Sequence, residues 1–300
     1  MDFAFIGLGR MGAPMAANLL AAGHHLRVHD TRREAAATLE RDGAIWAETP
    51  AAAAAGADIV LTCLPGPREV ETVVRGAGGL LGAIRRGAAW IDSTTGSPTL
   101  LRELAQAFAQ RGIDVLDAPV SGGPAGALKR ALVFWVGGTP AAFARCRPAL
   151  ACMADEVMHV GPLGSGTVTK LAHNSANFAV QAVLAEAFTL AVKAGLDPLV
   201  LFQALRKGSL GRNRPVDRLA EQFLPGRYEP AAFALELASK DVTLAIELAR
   251  ENGVPTPFAD LLLRDMAEGL ERGWGARDAR VTLSLQQERA GVSFRVEPDG

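Results

Sequence analysis

Short apolar runs rich in Val, Ile, Leu and Phe alternate with Ala-rich stretches of helical period through the first half of the chain. The runs are FAFIG (3–7), LRVHD (26–30), ADIVLTCL (57–64), AAWIDST (88–94), IDVLDAPV (113–120), ALVFWVGG (131–138) and EVMHV (156–160). Runs of strand length separated by helix-length segments predict an α/β architecture, a mostly parallel sheet covered by helices. After Gly166 no comparable run occurs before VSFRV near the C-terminus, so the second half reads as helix. Gly195-Leu196-Asp197-Pro198 ends one long helix and caps the next, and Gly253-Val254-Pro255, with Pro257 soon after, ends another. KGSLGRNRP (207–215) reads as a loop and ERAGVSFRVEPDG as a polar tail.

The first strand leads directly into GLGRMG, where Gly7, Gly9 and Gly12 stand at G-x-G-x-x-G spacing ahead of the helical APMAANLLAAG. Strand before and helix after are the context this motif needs. Gly7 permits a tight turn, Gly9 lets the backbone approach a pyrophosphate, and Gly12 lets the helix pack close to the sheet with its N–H groups facing the anion. The first half is therefore expected to be a Rossmann-type, doubly wound dinucleotide-binding domain, residues 1–162. Residues 163–300 form an all-helical domain for substrate binding and oligomerisation. The second strand ends at Asp30, where an acid accepts hydrogen bonds from ribose hydroxyls and repels a 2′-phosphate, favouring NAD over NADP. Arg32 and Arg33 pull the other way, since an arginine there holds that phosphate. A simpler role for Asp30 is to cap the helix that starts near Arg32.

GTVTKLAHNSANFAVQAVLAEAF (166–188), read as helix, puts Lys170, Asn174, Asn177 and Gln181 on one side. Moving a hydride to or from an alcohol carbon also needs a proton acceptor or donor, and a lysine with a lowered pKa serves. Lys170 is the candidate, with Asn174 one turn on to hold the substrate. A solvated helix face is the ordinary reading of such a stripe, but the near absence of charge between Lys170 and Glu186 argues for burial on nearly all sides. Upstream, Ser121, Gly122 and Gly123 follow a strand, and two glycines let backbone N–H groups cradle a carboxylate; SGG also occurs in plain turns. Lys240 and Asp241 are either a surface charge pair or a lysine reaching the nicotinamide side of a cofactor.

Composition narrows the options. Lys plus Arg (31) nearly cancels Asp plus Glu (32), so no broad basic field exists for nucleic acid or an anionic membrane. Cys63, Cys146 and Cys152 are odd in number and widely spaced, which argues against a disulfide framework or zinc site and suggests small buried hydrophobes. The opening MDFAFIG has no basic leader, and no apolar run approaches the roughly 18 residues of a transmembrane helix. The expectation is a soluble, cytoplasmic protein with no metal. Long Ala/Leu-rich helices present more apolar surface than one chain covers, so a homodimer or homotetramer is expected.

FIGLGRMGAPMAANL (5–19), DAPVSGGPAGA (117–127), GPLGSGTVTKLAHN (161–174) and ASKDVTLA (238–245) together resemble the cofactor, substrate-binding, catalytic and late cofactor signatures of the β-hydroxyacid dehydrogenases. That family includes 3-hydroxyisobutyrate dehydrogenase and related semialdehyde reductases. The resemblance implies that Lys170 is the catalytic lysine, that Asn174 helps hold the substrate, and that Ser121, Gly122 and Gly123 bind its carboxylate. It further implies that Met11, Leu64, Pro65 and Thr95 contact the cofactor and that Lys240 faces its nicotinamide. NADP-using members carry Asn-Arg-Thr where this chain reads Asp30-Thr31-Arg32, again favouring NAD with NADP possible. The implied reaction is reversible oxidation of a small, 3-hydroxyisobutyrate-like β-hydroxyacid by NAD to a semialdehyde or keto acid. An NADPH-dependent semialdehyde reductase is the alternative within the family. Imine-reducing relatives keep the fold but lack the lysine. A silent dinucleotide-binding scaffold is the alternative from another class, against which the intact Lys170, Asn174 and SGG set speaks. There are departures: His173 stands where many members have another Asn. Lys129 and Arg130 replace part of a Gly-Thr-Leu segment, where they would change which acid fits if they faced the cleft. Side-group preference is expected to lie with Asn177, Gly208 to Arg214 and Phe233.

Overall fold

The computed structural model of the chain describes residues 1–212, 215 and 217–297. They form two compact units that part between Ala176 and Asn177. Among the described residues of the first unit are nine strands: β1 (Asp2–Ile6), β2 (His25–His29), β3 (Ile45–Trp46), β4 (Ile59–Thr62), β5 (Ala89–Asp92), β6 (Asp114–Asp117), β7 (Val120–Ser121), β8 (Leu132–Gly137) and β9 (Ala154–Gly161). Their order is β3-β2-β1-β4-β5-β6-β8-β7, with β9 beside β8. Strands β1 to β6 run parallel; β8 is antiparallel to β6 and β7 and parallel to β9. The chain steps to opposite sides of β1 to make β2 and β4, so a crevice opens beyond the C-terminal ends of β1 and β4.

The sheet is buried on both faces, as a sheet flanked by crossover helices must be. Phe3, Phe5, Leu26, Val28, Ile59 and Leu61 point to one side, against Met15 and Leu19 of the helix Gly12–Ala21. Ala4, Ile6, Val60 and Trp90 point to the other, with Val70, Leu104 and Phe108. The sequence pattern misses β3, which is only two residues long, and reads 113–120 as one strand where there are two. Pro119 has no N–H to give a ladder; its carbonyl accepts from Trp135 N at 3.2 Å, and the chain turns into β7.

The helix Ser165–Lys193 starts in the first unit and ends in the second, so the two compact units part inside it. With a mean hydropathy of 1.4 over its apolar stretch it is long and apolar enough, by length and composition, to cross a membrane. That corrects the expectation that no such run exists: Asn174, Asn177 and Gln181 break the run by eye, yet the Ala, Val, Leu and Phe between them keep its average high. Only Gly166 and Thr167 of this helix are buried, while Phe178, Val180 and Val183 are exposed. The chain by itself does not bury the polar stripe on nearly all sides.

The second unit contains the helices Pro198–Lys207, Ser209–Arg212, Asp217–Glu221, Leu235–Glu251, Pro257–Glu271 and Ser284–Arg289. Leu235, Ala238, Met266 and Val281 form its small core. The Glu186 carboxylate accepts from Phe258 N (3.0 Å) and Ala259 N (3.1 Å), satisfying the free N–H groups that open Pro257–Glu271. Part of the expected loop 207–215 is helical, at Ser209–Arg212; Asn213 and Arg214 lie outside the described residues.

Candidate active site

At the end of β1 the backbone turns sharply through Gly7, whose φ is +96°. Its N–H bonds to His29 O at 2.9 Å, fixing the turn against β2. A Cβ on Gly7 would run into the Cys63 carbonyl, and one on Gly12 into the Gly7 carbonyl, whereas one on Gly9 would meet nothing within 4 Å. The three glycines therefore do different work: the first and third close the turn, and the second keeps its outer face open. Asp30 is tied to the same turn. Its Oδ2 accepts from Leu8 N at 2.7 Å and its Oδ1 from Arg32 N at 2.9 Å. The second bond is to the residue that opens the helical turn Arg33–Ala36, whose own side chain makes no cap.

A cleft of about 540 Å³ opens here, lined by Gly7, Gly9, Met11, Gly12, Asp30, Leu64 and Pro65, and also by Arg10, Thr31, Arg32, Glu69, Thr72 and Val73. Of these, Arg10 lies within the glycine motif and Thr31 and Arg32 follow Asp30, whereas Glu69, Thr72 and Val73 come from the helix Pro67–Arg75 and carry no motif. Thr95 is exposed and does not line it. Its neighbour does the local work: Thr94 Oγ1 accepts from Leu64 N at 3.0 Å. Beneath, the buried Asp92 Oδ1 accepts from Thr62 Oγ1 (2.8 Å) and Thr94 N (3.1 Å). Burial pushes this carboxyl up to about 6. Burial, with Asp92 nearby, raises the Cys63 thiol to about 12, so Cys63 is an inert part of the wall. Of the other cysteines, Cys146 is buried but Cys152 is partly exposed, its Sγ 3.8 Å from His24 Nε2. Among the described residues no cluster of His, Cys, Asp and Glu is arranged to hold a metal.

The cleft suits a dinucleotide. Gly9 leaves room for a pyrophosphate at the helix N-terminus, and Asp30 Oδ atoms at the rim have lone pairs left for ribose hydroxyls.

The SGG turn begins where β7 ends, with Ser121 paired to Val133 of β8. Gly122 and Gly123 take φ values of +123° and +62°, conformations that only glycine adopts readily. Ser121, Val133 and Trp135 share one face of the β7–β8 pair. On that face the Trp135 ring lies 5.0 Å from the ring of His173. The helix carrying Lys170 and Asn174 thus crosses the strands that carry the SGG turn. Lys170 and Asn174 are partly buried, and desolvation lowers the Lys170 pKa, the direction a proton acceptor needs. Trp135 went unnoticed in the sequence because an aromatic in a strand ordinarily signals only core.

Arg130 turns toward the cofactor side of the unit, its Nε donating to Asn18 Oδ1 at 3.3 Å, while Asn18 Nδ2 donates to Ala127 O at 2.8 Å. It braces the helix after the SGG turn against the helix after the glycine turn. Lys129 is exposed. In the second unit Lys240 pairs with Asp241 at 3.1 Å, both exposed, and Asn177 and Phe233 are also exposed.

Residues 2–161 match the family model described as the NAD binding domain of 6-phosphogluconate dehydrogenase, and residues 164–285 match the NAD-binding model of NADP-dependent 3-hydroxyisobutyrate dehydrogenase. The chain is 38% identical to a 3-hydroxyisobutyrate dehydrogenase of Pseudomonas aeruginosa, over 87% of this chain and 89% of the relative. The chain belongs to the β-hydroxyacid dehydrogenase family. It is also similar to 2-(hydroxymethyl)glutarate dehydrogenase of Eubacterium barkeri, at 36% identity over 96% of each chain. The solved structure of Mycobacterium tuberculosis 3-hydroxyisobutyrate dehydrogenase with L-serine superposes with a TM-score of 0.64 at 33% identity, covering 95% of this chain and 98% of that one. The protein is accordingly an NAD(P)-dependent oxidoreductase that moves a hydride between a nicotinamide cofactor and a small hydroxyacid.

Proposed function

We propose that the substrate is a 3-hydroxypropanoate bearing a side group at C2, oxidised at its primary alcohol to the semialdehyde, with NAD as the favoured cofactor. The names of the relatives support this reading. 3-Hydroxyisobutyrate, 2-(hydroxymethyl)glutarate and L-serine all carry a CH₂OH on the carbon next to a carboxylate and differ only in the third substituent.

Gly7, Gly9, Gly12 and Asp30 would hold the nicotinamide cofactor, which when bound would supply a hydride acceptor for the carbinol carbon. The chain's own residues do the rest. Backbone N–H groups of the Ser121–Gly123 turn hold the carboxylate, the Asn174 amide orients the hydroxyl end, and Lys170 Nζ takes the hydroxyl proton. In reduction Lys170 returns that proton. The observation that carries the reading is a partly buried, desolvated Lys170 on the helix that crosses the SGG strands. Only a neutral amine accepts a proton, so the oxidation rate should rise with pH and level off below the ordinary lysine range.

Lys170→Ala should lower turnover by roughly 100-fold or more while NADH still binds. Normal turnover in this variant ends the assignment. A panel of 2-substituted 3-hydroxypropanoates, followed by absorbance of the reduced cofactor with NAD and NADP in turn, tests substrate and cofactor together. Higher efficiency with NADPH on semialdehydes would favour the reductase alternative, and no activity on any acid would favour the scaffold.

A homo-oligomer covers the apolar face of Ser165–Lys193 and the exposed Leu199, Val200 and Phe202. A lipid bilayer is the less suitable cover, because Lys170, His173, Asn174, Asn177, Gln181 and Glu186 punctuate that helix. Three free cysteines suit a reducing compartment and support a cytoplasmic location, which cell fractionation would check.

A further inference from the structure

Asp117 opens the DAPVSGG motif, four residues before Ser121, at the C-terminal end of β6. It is 1% exposed. Its side chain makes no bond within its own loop and reaches instead to the start of the long helix. Oδ1 accepts from Gly164 N at 2.7 Å; Oδ2 accepts from Thr167 N at 2.6 Å and from Thr167 Oγ1 at 2.9 Å. The first N–H groups of any helix lack partners inside it. Here a strand residue from 47 and 50 positions away supplies them, and Thr167 lies three residues before Lys170.

The surroundings are cleared for this carboxyl group. A Cβ on Gly137 would collide with Asp117 Oδ1, and one on Gly166 would collide with the Trp135 carbonyl and come within 3.0 Å of Asp117 Oδ2. Gly161 and Gly164 take φ values of +138° and +95°, bending the chain from β9 into the helix. The helix backbone therefore rests directly on the sheet, without side chains between them, at the level of the Asp117 carboxyl. Farther along the helix its residues are exposed, apart from partial burial at positions such as Lys170 and Asn174. The rotation and height of Lys170 are set chiefly at this buried end, with the Trp135–His173 ring contact one turn farther on.

We propose that Asp117 is the positioning residue of the active site, a single carboxyl group that registers the Lys170 helix against the strand leading to the SGG turn. Proton acceptor and carboxylate cradle are thereby held in fixed relation. This rests on Lys170 being the proton acceptor.

Asp117→Asn keeps one acceptor oxygen but turns an N–H₂ toward a donor. With the cap broken, Lys170 should sit less firmly and in more water. The expected result is a 10- to 100-fold fall in kcat, NADH affinity within about twofold of wild type, and an upward move of the pH limb that Lys170 imposes on oxidation. Thr167→Val, which removes one of three donors, should lose several-fold in kcat, and Thr167→Ser should retain it. Wild-type kcat in a folded Asp117→Asn enzyme overturns the proposal, as does an equal loss of cofactor binding and turnover with an unmoved pH limb. If Asp117→Asn does not fold, the Thr167 pair decides: Thr167→Val with wild-type kcat overturns it. Lys170→Ala run alongside separates the two ideas. Full turnover in that variant removes the proton-acceptor reading, whereas an inert Lys170→Ala beside a fully active Asp117→Asn removes only the positioning role.

Discussion

The glycine turn gives a sharp test because its members are predicted to fail differently. In Gly12→Ala the new methyl would sit far inside van der Waals contact of the Gly7 carbonyl oxygen and 3.0 Å from Phe5 Cε1. Phe5 is fully buried in β1 and the Gly7 turn is pinned to His29, so neither neighbour yields cheaply. The helix Gly12–Ala21 must instead lift by roughly 1 Å or more, which costs about 1–3 kcal/mol as overpacking does elsewhere. In a chain of this size that lowers Tm by roughly 5 °C. The same displacement moves the N–H groups that face the pyrophosphate, so NADH affinity should fall by about 10-fold or more as well. Gly9→Ala meets no atom within 4 Å. It should leave Tm unchanged and weaken NADH binding alone, because the methyl intrudes only on a bound pyrophosphate. Thermal denaturation without cofactor and fluorescence titration with NADH read the two effects separately. Wild-type Tm and affinity in Gly12→Ala, or equal loss of Tm in both variants, would refute the reasoning.

Three further outcomes are expected. The Asp92 carboxyl, raised to about 6 by burial, contributes about 3 kcal/mol of stability below the unfolded carboxyl range that is lost as pH rises through about 6; urea titrations from pH 4.5 to 7.5 should show Asp92→Asn gaining on wild type as pH increases, and parallel curves would exclude the effect. Asp30→Asn keeps an acceptor for Leu8 N while removing the charge, so the NAD-to-NADP efficiency ratio should fall by about 10-fold or more, whereas an unchanged ratio would mean that Asp30 only holds the turn. Phe178→Asp puts a charge on the exposed apolar face and should shift an oligomer toward monomer in light scattering; a wild-type protein that is monomeric throughout would remove the proposed second copy.

Motifs set by local geometry were legible from the chain alone. Gly7 and Gly12 answer to close approaches of backbone atoms, and Lys170 and Asn174 to helical spacing, so residue type and interval were enough to select them. Asp92, Asp117 and Trp135 were not legible as functional. Each owes its role to a partner brought in from another element: Thr62 from the neighbouring strand, Thr167 at a helix start, His173 over a ring. An aspartate at the end of a strand looks the same in sequence whether it caps a distant helix or faces water.

The order of elements, the mostly parallel sheet, the glycine turn and the polar stripe of the Lys170 helix were determined by sequence, because hydrophobic period and glycine spacing act over a few residues. Only the tertiary structure decided that Asp30 locks the glycine turn, that Arg130 braces two helices, and that the long helix is fully buried only at its start. Those outcomes depend on which surfaces meet, and a residue's local pattern says what it would do on contact but not which contact it will find.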